Sequence, residues 1–255
     1  MKCLTPIVIE NKKYHLLKPY NNNLTRFMLV PCNKCLNCLK NNVSHWFTRI
    51  LFESFSSDTS LFVTLTYNDD SLPSDGVNIR DLQLFHKRLR KAGFKFKYYV
   101  ISEYGPDTHR PHYHGIYFNL PSYVFDEFWK LGFSMVKEVI PERIQYVCSY
   151  HILKGIDVPE NKAPNFRLLS QGLGYSYMLL YERENLLAND FSFLVNQDGF
   201  KISVPRYFKK KLDAPKKYLA PNPKIIKPVK LKNFNSAVNL NLQLYIERKL
   251  KNKQL

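Results

Sequence analysis

The sequence predicts an α+β domain built on a largely antiparallel β-sheet that carries helices on one face. Segments with strand and helix patterns follow in the order strand, helix, strand, strand, helix, strand, helix, which is typical of this class. A chain of 255 residues, 45% of them hydrophobic, is long enough to bury a large core. Glycine follows three of the predicted helices and proline begins one, which is the expected punctuation of helix ends.

The predicted elements can be justified in chain order. A helix from Asn42 to Phe55 precedes a strand, Leu61 to Tyr67, that is rich in β-branched and aromatic residues and ends in a turn-forming segment. Apolar residues at helical spacing predict a helix in IRDLQLFHKRLRKAG. The strand Tyr98 to Glu103 and the strand in RPHYHGIYF form a hairpin with a longer loop. The remaining segments are a helix in PSYVFDEFWKLG, a strand in FSMVKEVI and a helix in PERIQYVCSYHILK.

Composition divides the chain into three parts. Residues 1–60 form a cysteine-rich N-terminal segment with a helix that packs on the core, residues 61–200 the α+β domain, and residues 201–255 a basic extension rich in lysine and proline. Of the net charge of +17, the extension carries +13, from 15 basic and two acidic residues, and the first 200 residues carry +4. This asymmetry favours a polyanionic partner, most often nucleic acid, over a basic tail that only aids solubility.

Several protein classes are excluded by the sequence pattern. No apolar run approaches the roughly 20 residues that a membrane span needs, and the apolar stretch at the N-terminus is too short for a secretory signal. Five cysteines, three of them clustered, suit metal binding in a reducing compartment better than a disulfide framework. We therefore expect a cytosolic protein.

Two histidines one residue apart predict a metal site. On a strand, the side chains of His112 and His114 point to the same face. Glu103 ends the preceding strand and can complete an open site for Mg²⁺, Mn²⁺ or Zn²⁺, with His109 in the turn as an extra candidate. The alternative is a pair of half-buried histidines satisfied by hydrogen bonds, and the motif also fits oxygenases and simple hydrolases.

Paired tyrosines on one helix face form a second candidate constellation. Arg143, Tyr146, Tyr150 and Lys154 share a stripe, because residues three and four apart stack along a helix. A phenol has a reference pKa of about 10, and a neighbouring cation would favour the phenolate. Attack of this oxygen on a phosphodiester would give a phosphotyrosine and a free 3′ hydroxyl. The alternative is that both tyrosines serve only packing, as Cys148 on the opposite stripe is expected to do.

The spacing Cys32-x₂-Cys35-x₂-Cys38 predicts a second metal site. Three thiolates at this spacing can surround one ion, and Cys3 can complete a tetrahedral site for structural Zn²⁺. Such an ion would fasten the N-terminal segment and take no part in chemistry. An iron–sulfur cluster and reduced thiols without metal are the alternatives.

Seven motifs occur in order along most of the chain, and together they resemble the replication initiator proteins of gokushovirus-type microviruses. These rolling-circle Rep proteins belong to the HUH endonuclease superfamily, named for its histidine-hydrophobic-histidine motif. The motifs are VPCNKCLNCLKNN, FVTLTYNDDSLP, DLQLFHKRLRK, ISEYGPDTHRPHYHGIYF, YVCSYHILK, FRLLSQGLGYSYM and VPRYFKKKL.

The resemblance implies an HUH nuclease fold for residues 61–200 and a metal-dependent activity that nicks and rejoins single-stranded origin DNA through a 5′-phosphotyrosine. It implies that His112 and His114 bind Mg²⁺ or Mn²⁺, with Glu103 as the third ligand. The nucleophiles are then Tyr146 and Tyr150. Lys154 matches the accompanying lysine, although the family usually has it one residue earlier. Its position nearer to Tyr150 favours that tyrosine as the first nucleophile.

The implied partner is phage DNA, in its single-stranded and replicative forms, inside the cytoplasm of an infected bacterium. A host helicase and a host polymerase are also implied, because the chain has no glycine-rich loop of the GxxxxGK[ST] type. A non-enzymatic protein that binds or packages single-stranded DNA and another metal-dependent hydrolase are the rival functions. The residues expected to contact DNA phosphates are Arg143, Arg206, Lys209, Lys210 and Lys211.

Overall fold

The computed structural model describes residues 2–11, 26–153, 158–195, 199 and 201–212, and of residues 151–153 the backbone alone. Lys154 and residues 213–255, most of the basic extension, lie outside this part. The described strands are β1 (Ile7–Glu10), β2 (Phe27–Val30), β3 (Ser60–Thr66), β4 (Lys97–Tyr104), β5 (Pro111–Phe118), β6 (Ser134–Glu138), β7 (Arg167–Leu169), β8 (Phe193–Val195) and β9 (Lys201–Ser203). The described helices are α1 (Leu36–Phe55), α2 (Ile79–Lys91), α3 (Tyr123–Phe128), α4 (Pro141–Leu153), α5 (Tyr175–Tyr177), α6 (Arg183–Ala188) and α7 (Arg206–Lys211), with a π-helical turn, Met178–Glu182, between α5 and α6.

The centre of the fold is a five-stranded sheet with the strand order β6-β3-β5-β4-β7, in which every neighbouring pair is antiparallel. This confirms the predicted fold class. In the central strand, β5, His112 lies opposite Glu103 of β4 and Thr66 of β3. His114 lies opposite Thr64 of β3 in the same way. Residues directly opposite one another in an antiparallel sheet share a face, so both histidines and the carboxylate lie on one side.

Helices cover both faces of this sheet, not one face as the sequence predicted. On one face, Leu82, Phe85 and Leu89 of α2 pack with α3 against the odd-numbered residues of β3. On the other face, α1 and α4 bury a second cluster that includes Ile144 and Val147. The reason is that β4 and β5 place apolar residues on both sides, which leaves neither face suited to water.

The eight predicted elements between residues 42 and 153 are confirmed, with one helix longer than expected. Helix α1 begins at Leu36 because the chain turns helical directly after Cys35, inside the cysteine motif. The sequence pattern missed five strands of three or four residues, which are too short for a period-2 signal. The hairpin loop between β4 and β5 was expected to be long, and its backbone closes through the Gly105 N–H, which donates to the Arg110 carbonyl.

A third cluster joins the C-terminal described segment to the end of α1. Phe208 of α7 stacks on Phe52, with ring centroids 5.9 Å apart, and Met178, Leu186 and Leu194 complete this small core. The division of the chain near residues 60 and 200 therefore stays a prediction, because segments on both sides of each boundary pack together. Among the residues described, no helix combines the length and the apolar character that crossing a bilayer demands.

Candidate active site and cysteine centre

The structure brings the predicted metal ligands together on the face covered by α1 and α4. The Nε2 atom of His114 lies 3.2 Å from the Oε2 atom of Glu103. The imidazole rings of His112 and His114 are nearly parallel, with centroids 6.3 Å apart. Since the strand register sets Glu103 directly beside His112, the carboxylate reaches toward both rings from the neighbouring strand.

Two residues that the sequence pattern did not single out hold the His114 ring. The hydroxyl of Thr64 lies 3.0 Å from Nδ1 of His114. Phe62 stacks on the same ring, with centroids 5.9 Å apart and planes 19° from parallel. Both belong to the FVTLT strand, and only the pairing of β3 with β5 reveals which of its residues face the histidines.

The predicted tyrosines lie next to this cluster. The hydroxyl of Tyr146 donates a 2.7 Å hydrogen bond to Oε2 of Glu103, and its ring meets the His114 ring edge-on at 5.4 Å. The ring of Tyr150 lies 5.7 Å from that of Tyr146. Tyr146 is 37% exposed, whereas Tyr150 is 8% exposed and part of the core. The two phenols are therefore neighbours in different environments.

The other predicted members of the stripe are placed less closely. Arg143 is half-buried and donates a hydrogen bond to the backbone carbonyl of Glu138, at the end of β6. Lys154 lies outside the described residues. Cys148 is fully buried, as the sequence predicted, and His109 is exposed in the turn.

The charges of the site follow from burial and hydrogen bonding. Burial tends to raise the pKa of Glu103, but hydrogen bonds from His114, Tyr146 and Tyr150 outweigh it, so this pKa is lowered and the carboxylate stays ionised. Burial, with the neighbouring His114, lowers the pKa of His112 and keeps that imidazole neutral at pH 7. Burial, with the charge of Glu103, raises the pKa of Tyr146, so the phenol stays protonated.

This donor set fits a divalent cation. A metal requires neutral imidazoles and an ionised carboxylate, which are the states that the pKa shifts of His112 and Glu103 favour. In the described part of the chain, the cysteine quartet is the group whose ligand atoms all lie within 4.8 Å. The cluster of Glu103 and the two histidines is a wider and more open arrangement.

Cys3, Cys32, Cys35 and Cys38 meet at the N-terminal end of α1 and could bind a metal ion such as zinc. None of the five cysteines forms a disulfide. A hydrogen bond from the Thr5 hydroxyl, followed by backbone N–H groups, lowers the pKa of Cys32 to about 5. Burial raises the pKa of the Cys38 thiol to about 12.

The described basic residues of the C-terminal region lie on α7. Arg206, Lys210 and Lys211 are exposed, while Lys209 is half-buried, and burial lowers its pKa. The helix is attached to α1 through Tyr207, whose ring lies 3.9 Å from the guanidinium carbon of Arg49. This contact holds a basic surface against the helix that packs on α4.

The comparisons agree with the resemblance. A family model for the replication-associated protein ORF2 matches residues 60–155, which span β3 to α4. Similar proteins include the replication-associated protein ORF2 of Spiroplasma virus 4, 27% identical over 263 residues (84% of this chain, 81% of that protein). Others are the replication-associated protein ORF4 of Chlamydia phage 1, 28% identical (77% of this chain, 55% of that protein), and the replication-associated protein VP4 of Bdellovibrio phage phiMH2K, 34% identical (47% of this chain, 42% of that protein). No solved structure matches. The predicted resemblance is thereby confirmed, and the chain is a relative of the phage replication-associated proteins.

Proposed function

We propose that this protein is a rolling-circle replication initiator that nicks and rejoins single-stranded phage origin DNA through a 5′-phosphotyrosine. The observation that carries the proposal is the contact between Tyr146 and Glu103, which is itself within 3.2 Å of His114. This contact unites the two constellations predicted separately from sequence. A purely structural histidine pair would not need an exposed phenol hydrogen-bonded to its carboxylate partner.

The proposed cut is a transfer of a phosphoryl group to tyrosine. The Tyr146 oxygen forms a bond to phosphorus while the bond from phosphorus to the 3′ oxygen breaks. The phenolic proton leaves along the hydrogen bond to Glu103, and the departing 3′ oxygen takes up a proton. Because one phosphate ester replaces another, a free 3′ hydroxyl can later reverse the reaction and close the strand.

Exposure favours Tyr146 as the first nucleophile, in contrast to the order expected from sequence. Its hydroxyl reaches the carboxylate at the surface, whereas Tyr150 is almost fully buried beside it. Tyr150 then serves the second transfer. Two adjacent phenols allow a cut and a rejoining without release of the strand.

His112, His114 and Glu103 would hold Mg²⁺ or Mn²⁺. When bound, the cation would neutralise charge that develops on the phosphate in the transition state. The protein's own contribution is orientation, because Thr64 fixes the ring of His114 and so selects which nitrogen faces Glu103. Phe62 restricts the same ring from the side.

The proposed partners follow from this role. The exposed cations of α7, together with Arg143, Lys154 and the basic extension, would bind DNA phosphates. Unwinding and synthesis would need a host helicase and a host polymerase, and the site of action would be the cytoplasm of the infected bacterium.

The test is formation of a covalent adduct. The protein is incubated with Mn²⁺ and end-labelled single-stranded oligonucleotides that tile the phage genome, and a denaturing gel is searched for protein-linked DNA. We expect an adduct that is lost in the double variant Tyr146→Phe/Tyr150→Phe and in His112→Ala. Tyr123→Phe is the matched control, because Tyr123 is an exposed tyrosine on α3, away from the site.

The rival functions give different outcomes in the same assay. DNA binding without any adduct would support a protein that only binds or packages single-stranded DNA. DNA cleavage that survives the double tyrosine substitution but not His112→Ala would support a metal-dependent hydrolase of another kind. Either result would overturn the proposal.

A further inference from the structure

The four N-terminal cysteines come from three separate places in the chain and meet at one point. Cys3 precedes β1, Cys32 and Cys35 lie between β2 and α1, and Cys38 lies in the first turn of α1. Their sulfurs are 3.5 Å apart for Cys3 and Cys32, 3.8 Å for Cys3 and Cys35, and 4.0 Å for Cys32 and Cys38. Zinc–sulfur bonds of about 2.3 Å in a tetrahedron place sulfurs about 3.8 Å apart.

Backbone N–H groups point at these sulfurs as they do around bound thiolates. Cys32 donates its N–H to the sulfur of Cys3, and Leu4 donates to the sulfur of Cys35. The N–H groups of Lys34 and Cys35 both lie within 3.4 Å of the sulfur of Cys32. Asn33 adopts a left-handed conformation, with φ of 59°, and thereby turns the chain so that these two donors face one acceptor.

The spacing of the sulfurs argues against a disulfide and against an iron–sulfur cluster. The distances are far longer than the roughly 2.05 Å of a disulfide. Four sulfurs within 4.8 Å of one another leave room for a single ion and not for a cluster of several irons. Four thiolates around one ion also leave no position open for substrate or water, which is the mark of a structural site.

We propose that Cys3, Cys32, Cys35 and Cys38 bind one structural Zn²⁺ that fastens the β1–β2 ribbon to the start of α1. The ribbon needs such a fastening because it buries little surface of its own. Ile7, Val8, Phe27 and Leu29 are all about half exposed or more, and an isolated two-stranded ribbon is marginally stable in water. The site is independent of the proposed nickase activity.

Helix α1 extends the consequence of the site into the fold. Beyond the cysteines, its Val43 and Ile50 are buried with Val147 and Tyr150 of the tyrosine helix. The sheet and these contacts make up a core that does not depend on the ribbon. Removing the metal should therefore release residues before Leu36 and leave the rest of the fold in place.

The experiment measures metal in the full-length protein. Mass spectrometry of the protein purified without added metal should find one zinc per chain. Cys32→Ser and Cys35→Ser should each reduce this content at least fivefold, while Cys148→Ala, which removes the one cysteine outside the cluster, should leave it unchanged. Loss of zinc in His112→Ala instead, or full zinc in both serine variants, would overturn the proposal.

Two further readouts cover variants that fail to fold. Titration of the metal-free wild-type protein with Co²⁺ should give the visible spectrum of a tetrahedral thiolate complex at one equivalent, and absence of this spectrum would overturn the site. Limited proteolysis should cut the metal-free protein before Leu36 first. Equal cutting with and without zinc would overturn the fastening role. Because none of these measurements uses DNA, their failure is distinguishable from failure of the proposed nickase.

Discussion

The burial of His86 predicts a loss of stability in mild acid that this one side chain causes. His86 lies on α2 with 1% of its surface exposed. Its Nε2 atom is 3.0 Å from the hydroxyl of Tyr117, and its ring lies 4.0 Å from that of Tyr98. Burial, with a smaller effect of the nearby Arg90 charge, lowers the pKa of His86 to about 3.

The magnitude follows from the difference between the folded and unfolded chains. In the unfolded chain the pKa of a histidine is about 6.5, so between pH 6.5 and pH 3 the unfolded state binds a proton that the folded state refuses. Stability from this group is complete above pH 6.5 and falls as the pH decreases. At pH 5 the loss is about 1.5 pH units times 1.36 kcal/mol, or about 2 kcal/mol.

The assay compares urea unfolding of the wild type and of His86→Gln at pH 7.5, 6.5, 5.5 and 5.0. Glutamine can keep a hydrogen bond to Tyr117 but does not titrate, so subtracting the two curves removes the contribution of every other group. We expect the wild type to lose about 2 kcal/mol more than the variant between pH 7.5 and 5.0. His109→Gln, in the exposed hairpin turn, should follow the wild type. Parallel curves for wild type and His86→Gln would refute the reasoning.

Three more predictions concern the backbone, the site and the basic helix. Gly174→Ala should cost at least about 2 kcal/mol in unfolding free energy, because at φ of 73° a Cβ would lie 2.4 Å from the Arg49 carbonyl oxygen. Gly172→Ala is the control at φ of 76°, with nothing within 4 Å; equal costs would contradict the steric argument. Thr64→Val should weaken Mn²⁺ binding in calorimetry by about 10-fold to 100-fold, since it releases the His114 ring, and unchanged affinity would count against the proposed ligand set. Replacing Arg206 and Lys210 by glutamine should reduce the salt slope of single-stranded DNA binding by about 1.4, whereas Lys91→Gln on α2 should not change it.

Much of this protein could be predicted from short-range patterns. The period of apolar residues identified the hairpin and the helices around it, because a strand or an amphipathic helix repeats every two or 3.6 residues. The same rule placed His112 and His114 on one face and Tyr146 beside Tyr150 on another element. The cysteine spacing indicated a metal site, since a short loop between ligands is itself a local feature.

The tertiary structure decided what depends on pairing between distant segments. The sequence did not reveal that helices cover both faces of the sheet, because that depends on where the connections cross. It also did not reveal that Thr64 and Phe62 hold His114, which requires the register of β3 against β5. The different exposure of the two tyrosines has the same origin. Periodicity states which side chains share a face of one element, and only packing states what that face meets.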